Sequence, residues 1–293
     1  MTIDTTLLND VLNKAGKLLD QLKLVQNPTK HSIPDMDFAA LRWDKNHGFI
    51  PIKWKSPLSR DKLLHVDRQA KLLLANTQQF IEGFPANNAL LWGARGTGKS
   101  SLIQAVLGSF AKEQLKIIEI NNHSFADWAY ITEAIDARPK YKFIIFCDDL
   151  SFNSNDANYR EVKAALDGSL ISLPTNALIY ASSNRRHLLP EKLSDNLDAQ
   201  HIDGEVHHSE AIEETISLSD RFGLWLSFHS LTQNQYIDIV NHWISEYGLE
   251  QDEDNYRELA LRWALERGSR SGRIANQFAR NYAGQFLLNK KTI

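Results

Sequence analysis

The chain is poor in several things whose absence narrows its possible functions. It has one cysteine, Cys147, so an internal disulfide framework is excluded. It has no run of eighteen apolar residues, so nothing reads as a membrane-spanning helix. Its first residues carry Asp4 and Asp10 in place of a basic start and an apolar core, and do not read as a secretory signal. Neither sign of charge dominates. The formal net charge is −3 over 293 residues, which gives no general attraction to nucleic acid or membrane. Internal repeats and low-complexity segments are missing too. What remains, 43% hydrophobic and 24% charged residues, is the composition of an ordinary soluble globular chain. The expectation is a cytoplasmic protein with one α/β domain and a smaller module.

Against that plain background one stretch stands out. Gly93-Ala94-Arg95-Gly96-Thr97-Gly98-Lys99-Ser100 is a complete G-x-x-x-x-G-K-S phosphate-binding loop. Ala89-Leu90-Leu91-Trp92 before it reads as a short buried strand. Ser101-Leu102-Ile103-Gln104-Ala105-Val106-Leu107 after it spaces apolar residues as a helix does. The glycines let successive backbone N–H groups turn toward an anion with no Cβ in the way. The following helix points its positive end at the same place. Lys99 can reach the β- and γ-phosphates of a nucleotide, and the Ser100 hydroxyl can ligate Mg²⁺. The phosphate-binding set is thus Gly93, Ala94, Arg95, Gly96, Thr97, Gly98, Lys99, Ser100 and Ser101.

Along the chain, residues 5–25 form an amphipathic helical pattern with Leu8, Leu12, Ala15, Leu19 and Leu22 on one stripe, and Asn27-Pro28 ends it. Residues 31–60, with Pro34, Pro51 and Pro57, read as irregular. Helices are expected at about 66–82, 100–113, 125–137 and 159–170. Strands are expected at 89–92, 117–120, 143–147, 177–181 and 224–228. Continuous apolar strands alternating with helices indicate a parallel sheet covered on both faces. After Ser230 the strands cease, and helices follow near 232–247, 253–267 and 272–289. The expected organisation is an N-terminal extension 1–60, an α/β domain 61–230 and a helical module 231–293.

Four further places carry chemistry. Phe143-Ile144-Ile145-Phe146-Cys147-Asp148-Asp149 is a buried strand ending in two carboxylates. Beside a phosphate loop, Asp148 takes the role of holding Mg²⁺, and Asp149 stands where an acid would orient attacking water. Taken alone, the pair also reads as helix-capping aspartates. Cys147 reads as a small buried strand residue, because nothing supplies the basic surroundings of a reactive thiolate. Asn184, at the end of the next strand, can hydrogen-bond both a γ-phosphate and a water; its other reading is a turn asparagine. Arg221, in Ser219-Asp220-Arg221-Phe222-Gly223, can be presented to a neighbouring subunit or can serve a structural ion pair. Arg273 opens the last helix, where the helix dipole disfavours a cation. That position makes sense if it faces phosphate, and is otherwise a plain surface arginine.

Two weaker signals remain. His201, His207 and His208 lie in the stretch 187–220 with nine carboxylates and one lysine, which reads as a solvated loop rather than a metal site. The stretch 43–60 sets Lys45, Lys53, Lys55 and Arg60 beside Trp43 and Trp54. Stacking on nucleic acid is one reading; packing of the aromatics on the core is the preferred one.

Together these segments resemble the AAA+ ATPases. Gly93–Ser100 matches Walker A, Phe143–Asp149 Walker B, Asn184 sensor 1, Arg221 the arginine finger and Arg273 sensor 2. Asp220-Arg221-Phe222-Gly223 and Arg273-Ile274-Ala275-Asn276 are similar to segments of branch-migration motors and replication initiators. Asn76-Thr77, Pro85-Ala86-Asn87-Asn88, Cys147-Asp148-Asp149-Leu150-Ser151-Phe152 and Ser183-Asn184-Arg185-Arg186-His187-Leu188 resemble a bacterial family of single-module AAA+ ATPases known as a domain of unknown function. The likeness runs from about 61 to 280. It implies a P-loop α/β fold with a five-stranded parallel sheet in order 5-1-4-3-2 and a C-terminal helical lid; the N-terminal helical extension is read from the 5–25 pattern alone. The likeness also implies ATP and Mg²⁺ as ligands, and a homo-oligomer with nucleotide at its subunit interfaces. Asp149 replaces the commoner glutamate, and residues 1–60 match no effector domain. The expected activity is therefore ATP hydrolysis coupled to assembly or remodelling of an unknown protein partner. The alternatives are an ATP-dependent assembly switch with little turnover and, less favoured, a P-loop kinase.

Overall fold

A computed structural model describes residues 33, 38–52, 62–110, 114–151, 162–163, 173–185, 200–202, 205–207, 220–249 and 253–291. In chain order the elements are β1 (Ala40–Asp44), β2 (Gly48–Pro51), α1 (Asp67–Ile81), β3 (Ala89–Gly93), α2 (Lys99–Phe110) and β4 (Leu115–Ile120). A 3₁₀ turn (Asn122–Asp127) then runs into α3 (Trp128–Asp136), followed by β5 (Lys142–Cys147) and β6 (Ala177–Ser183). A short antiparallel pair, β7 (Gln200–Ile202) and β8 (Glu205–His207), precedes β9 (Leu224–Phe228). Three helices close the chain: α4 (Gln233–Glu246), α5 (Arg257–Glu266) and α6 (Gly272–Lys291). The amphipathic pattern at 5–25 lies outside the described residues. So does most of the helix expected at 159–170 and most of the acidic stretch 187–220.

The sheet has seven strands in order β2-β1-β4-β5-β6-β3-β9. All neighbours are parallel except β1 and β2. The expected five-stranded, all-parallel sheet is therefore corrected. The five strands read from the sequence keep the order 5-1-4-3-2 as β9-β3-β6-β5-β4, and a hairpin extends the sheet beyond β4. This hairpin occupies residues 40–51, within a stretch expected to be irregular. Its strands are short, and β2 is an edge strand, where proline is tolerated. Asp44 builds the turn by accepting from the backbone N–H groups of Asn46 and His47, each at 2.9 Å. The same carboxylate meets the His47 ring at 2.7 Å, and these contacts hold its pKa below the usual range. Trp43 is buried, with its ring edge-on to Phe49 at 4.8 Å and its indole N–H donated to Asp127. Trp43 and Phe49 thus pack on the core; Trp54, Lys53 and Lys55 lie outside the described residues.

The period of two along each strand sorts side chains onto two faces. On one face Phe143, Ile145, Ile179 and Ile118 pack with Phe125, Trp128, Ile131 and Ile135 of the 3₁₀ turn and α3. On the other, Ile144, Phe146, Leu91 and Ile117 pack with Leu73 and Phe80 of α1 and Leu102, Ile103 and Val106 of α2. Both faces are covered, which is why the strands are continuously apolar. Cys147 is fully buried, and burial raises its thiol pKa far from reactivity.

One polar joint fixes α1 to the sheet. The Asn76 side chain donates to Asn87 O at 2.9 Å and accepts from Asn87 N–H at 3.0 Å, so it acts as a short piece of strand. Asn76 also reaches the Tyr180 hydroxyl, which meets Thr77 at 2.8 Å. Burial raises the Tyr180 pKa, so this hydroxyl stays neutral. Asn88 accepts the N–H of Ile179 through its side chain.

The C-terminal helices have their own core, with Tyr236, Val240, Ala260, Ala264, Ala275 and Phe278 buried. Alanines at the crossings let the helix backbones approach closely. Thr232 and Gln235 close a capping box at the start of α4. The Tyr236 hydroxyl donates to Ala260 O, and burial pushes its pKa up to about 12. Among the described residues, no helix is long and apolar enough to cross a membrane.

Asn76→Ala leaves the N–H and C=O of Asn87 without these partners. It should lower stability by about 1–2 kcal/mol in urea unfolding. A change below about 0.5 kcal/mol would show that the joint is not holding α1.

Candidate functional site

The loop between β3 and α2 turns on three glycines with positive φ: Gly93 at 135°, Gly96 at 74° and Gly98 at 103°. Gly93 admits no side chain, because a Cβ there would lie 1.8 Å from Phe228 O. Ala94 N–H donates to the same carbonyl, so β3 stays zipped to β9 while the chain turns away. Thr97 braces the loop by donating to Ala94 O at 2.7 Å.

Lys99 is buried and points back into the loop. Its ammonium donates to Gly93 O and Ala94 O, each at 2.8 Å, and to the Asn184 Oδ1 at 3.2 Å. Burial pushes its pKa down; Asp149 and Asp148 pull it back up, and Arg95 and Arg273 add to the fall. An anionic ligand in the loop would favour its charged form.

Parallel pairing of β5 and β6 brings their ends together beside the loop. Asp148 Oδ1 accepts from the Ser100 hydroxyl at 2.8 Å and from the Ser182 hydroxyl at 2.6 Å. Asp149 has φ 53°, a left-handed conformation that aspartate tolerates better than most residues. Its Oδ1 accepts from Asn184 Nδ2, and the exposed Arg95 guanidinium lies 3.8 Å from its Oδ2. The Asn184 amide therefore stands between the lysine and the second carboxylate.

The start of α6 forms the opposite wall. Arg273 N–H reaches Gly96 O at 3.4 Å, and Ser271 caps the helix. A Cβ on Gly96 would lie 2.8 Å from Ser271 Oγ, so the loop tip and the helix start need each other to be small. Between the walls lies a cleft of about 710 Å³, the size of a small-molecule site. Its polar lining is Arg95–Ser101, Asp148, Asp149, Asn184 and Arg273. Leu63, Leu64, Val66, Leu231, Ile239 and Trp243 add apolar lining.

The segment before α1 ties the two walls. Lys62 pairs with Glu246 and His65 with Asp238, both on α4. Leu64 packs on the helical core and Val66 on the sheet. Sequence reasoning missed this strap, along with Ser182, Asn276, Gln277 and Arg280, which also line the cleft. Helical spacing of Arg273, Asn276, Gln277 and Arg280 was a signal for the last three. Gly93 and Ala94 shape the loop without being among the lining residues. Arg221 is not among them either; it lies in the turn before β9, where Gly223 abuts the Asn87 side chain.

Among the described residues, no group of three or more His, Cys, Asp or Glu is placed to hold a metal ion. Ser100 and Asp148 offer a hydroxyl and one carboxylate. That oxygen set fits Mg²⁺ shared with phosphates, since this ion is commonly held by one or two carboxylates plus ligand oxygens.

Sheet order, glycine loop and helical wall define a P-loop protein with the AAA+ fold. Residues 36–286 match the family described as protein of unknown function (DUF815), and the chain belongs to that family. Its match starts well before residue 61, so it includes the β1–β2 hairpin. Among solved structures, the chain is similar to the Thermotoga maritima RuvB Holliday junction branch migration motor. The TM-score is 0.51 at 16% identity, covering 80% of this chain and 67% of that one. A mutant RuvB of the same organism gives a TM-score of 0.53 at 17% identity, covering 80% and 68%. At such identity the likeness is one of fold. No curated protein matches.

Gly93→Ala should be among the most damaging single changes in the chain. The clash is with backbone and cannot be relieved by a side-chain rotation. A loss of at least about 3 kcal/mol, or failure to fold, is expected in chemical denaturation. A soluble variant with a wild-type unfolding midpoint would contradict the geometry of the β3–β9 turn.

Proposed function

We propose that this protein is a Mg²⁺-dependent ATPase that couples ATP binding and hydrolysis to assembly or remodelling of a protein partner. The observation that carries this reading is the convergence of Lys99, the Ser100–Asp148 pair and the Asp149–Asn184 pair on one wall, with Arg273 facing them. In this reading 61–230, extended by the β1–β2 hairpin, is the nucleotide-binding domain and 231–293 is its lid. The loop amides and Lys99 bind the phosphates. Ser100 and Asp148 hold Mg²⁺, which supplies charge neutralisation on the phosphate oxygens. The apolar lining residues of the cleft take the base. Asp149 takes a proton from, or orients, the attacking water together with Asn184. Arg273 meets the γ-phosphate from the same chain.

Arg221 lies off the cleft lining and is assigned to a neighbouring subunit's nucleotide, as part of a homo-oligomer in the cytoplasm. RuvB is a Holliday junction branch migration motor. For this chain the fold supports a ring or partial ring, and nucleic acid is not needed for it. A second reading, an ATP-dependent assembly switch with slow turnover, is favoured by one feature. Asp149 is shorter than glutamate and is held by Asn184 beside Arg95, which leaves it less free to engage water.

Lys99→Ala should fold normally and lose ATP affinity by roughly 100-fold, as expected for removing one member of a buried charge pair. Arg221→Ala should bind ATP normally and turn over about 10³-fold more slowly or worse. Mixing the two variants should restore activity, because one supplies an intact pocket and the other an intact Arg221. No recovery in demonstrated mixed assemblies would remove the trans role of Arg221. Unchanged ATP affinity in folded Lys99→Ala would remove the nucleotide site. Nucleotide-dependent assembly with no turnover would favour the switch, and phosphate transfer to an added acceptor would favour a kinase.

A further inference from the structure

Ser182 is the penultimate residue of β6 and is 2% exposed. The register that pairs Cys147 with Ala181 puts it directly beside Asp148. A hydroxyl has one proton to donate and lone pairs that accept. Here both capacities are used. Ser182 Oγ donates to Asp148 Oδ1 at 2.6 Å and accepts the N–H of Asp149 at 3.0 Å. The direction is forced, because a backbone N–H can only donate and so leaves the hydroxyl proton for the carboxylate. The Ser182 carbonyl takes the next N–H, that of Leu150, at 2.7 Å. One residue of β6 therefore fixes the three residues that follow β5.

We propose that Ser182 is a positioning residue of the cleft: it aims the Asp148 carboxylate at Ser100 and holds the left-handed turn that presents Asp149 to Asn184. This rests on the reading of Asp148 and Asp149 as the metal-holding and water-orienting carboxylates. It adds a residue that acts through these two carboxylates. Two constraints meet in its hydroxyl. With a methyl in its place, Asp148 keeps only the Ser100 hydroxyl of these two donors. Asp149 N–H loses its acceptor just where the backbone has entered a sparsely populated conformation. Both carboxylates then drift together, although neither has been altered.

The test uses the full chain and a non-hydrolysable ATP analogue, titrated with and without Mg²⁺, on wild type, Ser182→Ala and Ser182→Thr. Ser182→Ala should lose about tenfold or more of the affinity gained from Mg²⁺ while its Mg²⁺-free affinity stays at the wild-type value. That is the range for losing a hydrogen bond to a charged group. In the nucleotide-free protein, amide exchange at Asp149 should accelerate severalfold, a readout independent of any bound ion. Ser182→Thr keeps the hydroxyl and should restore both. Ser182→Cys keeps the bulk with a weak donor and serves if the alanine variant does not fold; it should show the same losses. Wild-type Mg²⁺ dependence and unchanged Asp149 exchange in a folded Ser182→Ala or Ser182→Cys chain overturn the proposal. A wild-type chain with no Mg²⁺-dependent affinity overturns the metal reading itself, and the role of Ser182 with it.

Discussion

The cleft depends on one steric constraint: the carbonyl of Phe228 occupies the space where residue 93 would carry a Cβ, at 1.8 Å. Only glycine lets β3 remain paired with β9 to its last residue and then turn at φ 135° into the loop. The rest follows from that turn. It places Gly93 O and Ala94 O where Lys99 can reach them, and it starts α2 at Lys99 itself. Next to β3 the sheet places β6, and beyond it β5, so Asn184, Asp148 and Asp149 emerge on the same edge. A parallel sheet gathers strand ends in this way, and ligands sit outside the carboxyl ends of such strands.

Attachment of the helical wall is a second matter, and magnitudes decide what holds it. Lys62–Glu246 and His65–Asp238 are partly exposed pairs, and water screens such pairs so that they add little. Burial of an aliphatic side chain contributes about 1.5–3 kcal/mol. Val66, buried in the sheet core, and Leu64, half-buried against the helical core, therefore do most of the holding, and the ion pairs set direction. At the opposite side, contact between Gly96 and the start of α6 is a weak backbone bond plus close fit. A wall held strongly at one end and lightly at the other can respond to what lies against Gly96 and Arg273.

Much of this was legible in the sequence because its signals are local. The glycine loop, the apolar strand before Asp148 and the helices from 232 onward depend on spacing within a few turns or one strand. The five core strands appear within a few residues of their expected bounds, and their order is embedded in the sheet. The hairpin at 40–51 was not legible. β1 gains its stability from pairing with β4, 77 residues further along the chain, and Pro51 argues locally against a strand. Ser182 was hidden for a similar reason. It reads as one serine in a Ser-Ser-Asn turn, and only the β5–β6 register reveals that its hydroxyl joins Asp148 to Asp149. Arg221 shows the converse: its segment is easy to notice, yet it lies off the lining of its own chain's cleft.

The most direct measurement of the central claim is the stoichiometry of nucleotide on the wild-type chain by calorimetry. The account predicts one ATP per chain, tighter with Mg²⁺ than with a chelator, and a thermal midpoint that rises with ATP concentration by mass action. Absence of binding at millimolar ATP and Mg²⁺, in a chain that is folded, would contradict it.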